Sequence, residues 1–167
     1  DVAPSSSGDA ATAIQTVQDA KVMMNGIMRN MTSSSYYGRN FVIYGEARGG
    51  DLTVVSRGRG LDNLYAFNHS PTTSSYSGFW NSIYNNILQA NNLISSIEKL
   101  QAGGAEGDFD GIKGQALTAR ALMYFDLVRI YGKPYTMDKT AYGVPNVTEP
   151  LDAAAQPLRA TVEDNYT

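Results

Sequence analysis

Apolar residues recur at steps of three and four in the first part of the chain. In the stretch "SSSGDAATAIQTVQDAKVMMNGIMRNM", polar capping residues precede this run, whose apolar members include Ile14, Val17, Met24, Ile27 and Met31. Residues three or four apart share one face of a helix. The spacing therefore predicts an N-terminal helix over residues 10–31.

Two further periodic stretches predict a helical hairpin over residues 77–132. The apolar positions of "SGFWNSIYNNILQANNLISSIEKLQAGG" are Trp80, Ile83, Ile87, Ala90, Ile94, Ile97 and Leu100. Ser77 is the expected N-cap, and Gly103 and Gly104 are the expected stop. The second helix runs from about Phe109 to Tyr131, before Gly132. Because the loop "AGGAEGD" between them is short, the two helices are expected to be antiparallel.

The second helix of this hairpin carries apolar residues on more than one face. One stripe consists of Ile112, Ala116, Ala119, Met123, Leu127 and Ile130, and another of Leu117, Ala121, Tyr124, Val128 and Tyr131. An ordinary surface helix has a single apolar stripe, so this helix is predicted to be buried on two sides. The hairpin partner covers one side, and the other needs a further layer, as in stacked TPR-like helix pairs. The central helix of an ordinary bundle is the alternative.

The rest of the chain shows no sustained helical period. Residues 32–76 are rich in Gly, Ser, Asn and Arg and are predicted to be an irregular loop region, with at most short strands at "FVIY" and "LTVV". Residues 133–158 are predicted to be an irregular connector. Residues 159–167 start a further helix, with Thr161 as its cap and Glu163 and Asp164 in its first turn. Since so short a helix buries little, we expect the 167 residues to be one partial domain of a longer protein.

Composition removes several classes of function. A net charge of −3 gives no field that would attract nucleic acid, and no run of about 18 apolar residues is present. The chain has no Cys and a single histidine, His69, so Cys-based and multi-histidine metal sites are excluded. The stretch "EGDFDG" starts like a calcium loop, but Leu117 stands where the closing Glu belongs. We therefore expect no metal and no cofactor.

Three stretches resemble the SusD/RagB family: "GQALTARALMYFDLVRIYGKPYT", "YGVPNVTEP" and "RATVEDNY". The matching positions are Gly114 to Ala116, Arg120, Ala121, Tyr124 to Val128, Tyr131, Gly132, Pro134, Gly143 to Pro145 and Arg159 to Val162. The stretch "FWNSIYNNILQANNLI" is also similar to the Trp-containing helix of the family, with its terminal Ala90 and Asn91. Departures are Gln115 in place of the usual Glu and the lack of a lipidated Cys at the start.

The resemblance implies a nutrient-binding lipoprotein of the bacterial outer membrane. Its fold would be all-α, built of TPR-like helical hairpins in an α-α superhelix with long irregular loops. Its ligand would be an oligosaccharide or another nutrient, captured at the extracellular face and delivered to a SusC-like TonB-dependent transporter. Family members are not enzymes, and their lipid anchor is absent from this chain. The alternative is a TPR-like protein-interaction module without a small-molecule ligand.

Sugar binding requires aromatic faces and planar polar groups, and residues 38–65 offer the richest supply of both. The candidate ligand-binding residues there are Arg39, Glu46, Asp51, Arg57 and Tyr65. The alternative is a solvated loop in which Arg and Asp pair with one another. Glu46 and Asp51 are also the one nearby carboxylate pair that glycan cleavage could use, but their loop setting argues against an enzyme.

Three other aromatic residues, Trp80, Tyr124 and Phe125, are interpreted as core rather than as sugar platforms. Trp80 shares its helical stripe with Ile83, Ile87 and Ile94. Tyr124 and Phe125 lie on the helix that is predicted to be buried on two sides. Packing therefore accounts for all three without a ligand.

Overall fold

Six helices form the secondary structure of the part of the chain that the structure describes. A computed structural model describes residues 14–55, 61–68, 70, 78–152 and 154–167. The helices are α1 (Val17–Met31), α2 (Asn40–Gly49), α3 (Leu61–Tyr65), α4 (Gly78–Ala102), α5 (Asp110–Tyr131) and α6 (Val162–Tyr166). Across these residues the only β-pairing is an isolated antiparallel bridge between Tyr142 and Thr161. The all-α prediction is confirmed.

The chain divides into two compact units. The α2–α3 unit comprises Arg29–Asn85, and the hairpin unit comprises Asp1–Met28 together with Asn86–Thr167. No helix in the described residues is long and apolar enough to cross a bilayer.

Helix α1 begins at Val17, later than the predicted residue 10. Thr16 and Asp19 exchange hydrogen bonds at this end: Thr16 N donates to Asp19 Oδ2 (2.9 Å), and Asp19 N donates to Thr16 Oγ1 (3.1 Å). This reciprocal pair is a capping box, which fixes the helix start. Ile14 is buried ahead of the helix, and residues 10–13 lie outside the described residues.

Helices α4 and α5 form the predicted antiparallel hairpin. Near the loop, Gln101 Nε2 donates to Asp110 Oδ1 (2.8 Å). Far from the loop, Arg120 Nη1 donates to Asn91 Oδ1 (2.8 Å). Residue numbers thus fall along α4 as they rise along α5, as two antiparallel helices require. The buried apolar residues include Ile87, Ala90, Leu93, Ile94, Ile97, Ile112, Ala116, Ala119, Met123 and Leu127.

The start of α4 differs from the prediction. Phe79 is only 1% exposed, whereas Trp80 is half-buried and its ring lies 4.9 Å from that of Tyr84. The prediction that Trp80 belongs to the buried stripe was therefore wrong. The buried face of this first turn contains Phe79, one position earlier, and Ile83. Ser77, the expected N-cap, lies outside the described residues.

Helix α5 is buried on two sides only in its C-terminal half. Tyr124 and Val128 are buried, whereas Leu117 and Leu122 are 38% and 40% exposed. Phe125 is also exposed, at 42%, so its assignment to the core was wrong. The second face is covered by the connector and by α6 rather than by another helix pair. Apolar periodicity shows that a face is buried but not what covers it.

The connector after α5 is held by side chains of the hairpin. Tyr124 Oη donates to the carbonyl of Val147 (2.8 Å) and accepts from the amide of Val147 (2.6 Å). Asn91 Nδ2 donates to the same carbonyl (2.8 Å), and Arg120 Nη1 donates to the carbonyl of Thr148 (2.9 Å). We call Asn91, Arg120 and Tyr124 the connector clamp. It satisfies backbone groups that have no secondary structure to pair with.

A second set of bonds ties the connector to residues 159–167, which contain α6. Asn165 Oδ1 accepts from Val144 N (2.8 Å), and Asn165 Nδ2 donates to Val144 O (2.9 Å). Arg159 Nε donates to Gly143 O (2.6 Å). A Cβ at Gly143 would collide with Asn165 Oδ1, so any other residue there would have to displace the Asn165 side chain. As predicted, Thr161 caps α6, in a capping box with Asp164.

Residues 32–76 were predicted to be irregular, but α2 and α3 lie within them. The sequence "FVIY", residues 41–44, is part of α2, so the strand predicted there was wrong. The aromatic residues Phe41 and Tyr44 are three positions apart and lie on one side of α2. Both rings make T-shaped contacts with the ring of Phe79. Residues 52–55 have no regular secondary structure.

Candidate ligand-binding site

The candidate residues named from the sequence are separated within the α2–α3 unit. Arg39 precedes α2 and its Nε donates to Asn40 Oδ1 (2.9 Å). Glu46 lies on α2 and Asp51 follows it, both exposed, and Tyr65 ends α3 at 43% exposure. Among these four residues the structure forms no ion pair or hydrogen bond. Arg57 lies outside the described residues.

A different set of side chains, Tyr44, Arg48 and Phe67, meets in this unit, and we call it the Arg48 site. The guanidinium carbon of Arg48 lies 4.9 Å from the ring centroid of Tyr44 and 5.3 Å from that of Phe67. Both distances are within the range of a cation–π interaction. Arg48 Nη1 also donates to Tyr44 Oη (2.8 Å). Arg48 lies four positions after Tyr44, so both are on one face of α2.

Phe67 reaches this position through an unusual backbone conformation. It is the only non-glycine residue with positive φ in the described part of the chain, at 55°. The left-handed conformation costs about 1–2 kcal/mol for such a residue. Two backbone hydrogen bonds close the turn, from Phe67 N to Leu64 O (3.2 Å) and from Asn68 N to Asn63 O (2.8 Å). Phe67 is 61% exposed, and backbone strain of this kind concentrates at functional sites.

An aromatic base supports the Arg48 site from inside the unit. The Tyr44 ring packs edge-on against Phe79 at 5.6 Å, and Phe41 packs against Phe79 at 6.3 Å. Tyr36, which is 1% exposed, packs edge-on against Phe41 at 5.7 Å. These contacts fix the orientation of Tyr44, and through it that of Arg48.

The arrangement offers the two kinds of surface that a sugar needs. Phe67 presents an exposed aromatic ring, which can stack on the apolar face of a pyranose. Arg48 and Tyr44 present N–H and O–H groups, which can bridge sugar hydroxyls. In the described residues, no group of three or more His, Cys, Asp or Glu side chains could hold a metal ion.

The candidate residues predicted from the sequence did not include Phe67, Tyr44 or Arg48. A helical reading of "FVIYGEAR" would have placed Tyr44 and Arg48 one turn apart on one face. The stretch "YAFNHS" offered only a weak signal for Phe67, because Asn68 is typical of a turn but does not show where the neighbouring ring lies.

The hairpin unit has a groove that lacks these features. Its cavity of about 320 Å³ is lined by Ile14, Gln15, Asn92, Ser95, Ser96, Lys99, Leu100 and Pro150. No aromatic side chain lines it, so it offers hydroxyl and amide groups without a stacking platform. The Arg48 site is therefore the stronger candidate for a sugar.

Comparison with known proteins places the chain in a family. Residues 8–167 match the model of a SusD-like family described as starch-binding and associating with the outer membrane. The chain belongs to this SusD-like family. No curated protein sequence matches it.

Solved structures agree with this assignment. The SusD-like chain is 36% identical to a SusD superfamily protein from Bacteroides thetaiotaomicron, with a TM-score of 0.77 over 91% of this chain and 34% of that one. It is 33% identical to a putative sugar binding protein from Bacteroides vulgatus, with a TM-score of 0.81 over 93% and 35%. The SusD-like chain thus spans about a third of the length of these proteins.

Family membership gives the motif residues a structural meaning. Asn91, Arg120, Tyr124, Gly143 and Arg159 carried the resemblance in the sequence, and in the structure they hold the connector. The Arg48 site lies outside the matching motifs. The recognisable part of this SusD-like chain is thus a scaffold.

Proposed function

We propose that this SusD-like chain takes part in binding an oligosaccharide at the extracellular face of the bacterial outer membrane. The observation that carries the proposal is the Phe67 ring, 61% exposed and held beside Arg48 by a strained turn. The family description, starch-binding and associating with the outer membrane, supports both the ligand and the location. The whole protein would be held at the membrane by a lipid anchor.

In this proposal the sugar packs on Phe67 and is oriented by polar groups around it. The apolar face of one pyranose lies on the ring, while Arg48 and Tyr44 bond its hydroxyls. Tyr65, two residues before Phe67 and 43% exposed, is a second aromatic contact. The other residues named from the sequence remain proposed ligand contacts: Arg39, Glu46, Asp51 and Arg57.

The proposed activity is capture without cleavage. Glycoside hydrolysis needs two carboxyl groups on opposite sides of the scissile bond. Glu46 and Asp51 are the pair to test, and both are exposed. We expect the purified protein to release no reducing ends from any glycan that it binds. Release that is abolished by Glu46→Gln would contradict this part of the proposal.

Calorimetry on the full-length protein tests the sugar site. Phe67→Ala should weaken binding of the best glycan from a broad panel about five- to tenfold, the loss expected for one stacking contact. Tyr142→Ala is the matched control, because Tyr142 is 74% exposed and belongs to the other unit. Thermal unfolding would verify that both variants fold. Equal affinities for the wild type and the Phe67 variant, or no binding to any glycan, would refute the site.

We further propose that the captured glycan passes to a SusC-like TonB-dependent transporter. The outer-membrane association in the family description supports a membrane partner. Affinity purification from native membranes should return such a transporter with the full-length protein. If it returns soluble proteins instead, and sugar has no effect, the interaction-module alternative is favoured over delivery.

A further inference from the structure

The charge of Arg48 is not neutralised by a carboxylate in the described residues. The ion pairs there involve Lys113, Arg129, Lys133 and Lys139. Arg48 is exposed, and its hydrogen bond goes to the neutral hydroxyl of Tyr44. Glu46, two positions earlier on α2, points elsewhere, because residues two apart on a helix do not share a face.

The N–H groups of the Arg48 guanidinium are the part that can bind a ligand. The guanidinium carbon lies within cation–π distance of Tyr44 and Phe67, and Arg48 is exposed, so a ligand can approach the N–H groups along the guanidinium edge. That edge carries five N–H donors, of which one goes to Tyr44 Oη. Two parallel N–H donors match the two oxygens of a carboxylate, which makes a bidentate pair.

Global charge does not provide this attraction. The chain carries a net charge of −3, so it does not draw anionic ligands to itself over long distances. Any affinity for an acidic sugar must come from a local, positioned cation. Arg48 meets that requirement because the contacts with Tyr44 and Phe67 hold it in place before a ligand binds.

We propose that the Arg48 site selects sugars that carry a carboxylate, of the hexuronic acid class, over neutral sugars. The inference rests on the proposed function, since it names the ligand class of the same site. The carboxylate accepts two hydrogen bonds from the edge of Arg48, while the sugar ring lies on the exposed part of Phe67. The bond is charge-assisted, which makes it stronger than a bond to a neutral hydroxyl.

The test uses the full-length protein and hexuronate oligosaccharides, each paired with its methyl ester. The ester keeps the sugar backbone and removes the charge. Calorimetry should show at least one acidic oligosaccharide binding about tenfold or more tightly than its ester. Arg48→Gln should abolish this preference, because it weakens binding of the acid about tenfold more than it weakens binding of the ester. Arg48→Lys should retain part of the preference, because it keeps the charge without the planar edge.

Arg29→Gln is the matched control, since Arg29 is an exposed arginine of the same unit, and it should leave the preference unchanged. Equal binding of every acid and its ester by the wild type would overturn the inference, whether or not any variant folds. If neutral glycans bind in that case, the proposed function survives and only the acid selectivity fails. If neither acidic nor neutral glycans bind, both are overturned.

Discussion

The hydroxyl of Tyr124 connects the hairpin to the connector, and Tyr124→Phe removes only that atom. The ring stays to fill its space in the core, so the substitution leaves no large cavity. Two hydrogen bonds are lost, one to the carbonyl of Val147 and one from its amide. The carbonyl keeps its bond from Asn91 Nδ2, but the amide has no other partner among the described residues.

The loss can be estimated from the orphaned amide. Val147 is 4% exposed, so water does not readily replace the hydroxyl. A buried donor left without a partner costs about 1–3 kcal/mol. We expect Tyr124→Phe to lower the free energy of unfolding by about 2 kcal/mol. For a chain of this size, that corresponds to a fall of about 4–8 °C in the unfolding midpoint.

Chemical denaturation followed by far-UV circular dichroism measures this difference. Tyr142→Phe is the control, because Tyr142 is 74% exposed and the substitution removes a hydroxyl from the protein surface. It should change stability by less than about 0.5 kcal/mol. Hydrogen exchange gives a local measure, since the amide of Val147 should lose protection in the Tyr124 variant alone. A Tyr124 variant as stable as the control would refute the assigned role of the hydroxyl.

The same hydroxyl predicts a loss of stability at alkaline pH. Burial raises the pKa of Tyr124 above the usual value of 10.0, against smaller lowering effects from Val147 and Arg120. The folded state therefore holds this proton more tightly than the unfolded state. This contribution is fully present below the unfolded pKa and is lost as pH rises through the folded pKa. Tyr124→Phe should flatten the stability profile in that range, and an unchanged profile would refute the assignment.

Three further predictions concern the end of the chain. Asn165→Ala should cost about 2 kcal/mol in denaturation, because it orphans the amide of buried Val144. Gly143→Ala should lower the free energy of unfolding by about 1–3 kcal/mol through its clash with Asn165. The double variant with Gly143→Ala and Asn165→Ala should lose less stability than the sum of the two single losses, and strict additivity would argue against the clash. The hydrogen bond from Thr161 lowers the pKa of Asp164 below its usual value of 3.8. The contribution of Asp164 to stability is therefore present above the unfolded pKa and is lost as pH falls through the folded pKa. Asp164→Asn should weaken this loss of stability in acid, as measured by denaturation at several pH values.

Helical spacing predicted the hairpin because its signal is local and long. α4 and α5 are each longer than twenty residues, and their buried positions repeat over many turns. α2 has only ten residues and includes Gly45 and Gly49, which lower its helix propensity. The helical spacing of its apolar residues was therefore not recognised in the sequence. Its helical state depends on packing of Phe41 and Tyr44 against Phe79, which lies far along the sequence.

The covering of α5 and the Arg48 site could not be predicted for a different reason. Tyr124 and Val128 indicated a second buried face, but a connector and a helix can both cover such a face. The choice is made by polar bonds from Asn91 and Tyr124, which have no periodicity. Likewise, Phe67 meets Arg48 only because its turn adopts a left-handed conformation, which the local pattern does not specify.

The hydrogen bonds from the connector clamp to the connector end on main-chain atoms. These bonds end on Val147, Thr148 and Glu149 through their carbonyl or amide groups, while the side chains of Thr148 and Glu149 are exposed. Substitution at these two positions should therefore leave the path of the chain intact. Because these 167 residues contain no cysteine, Glu149→Cys would introduce a unique attachment point for a fluorophore within them. A dye there would report clamp opening directly, and the same tolerance would let relatives diverge at these positions without losing the fold.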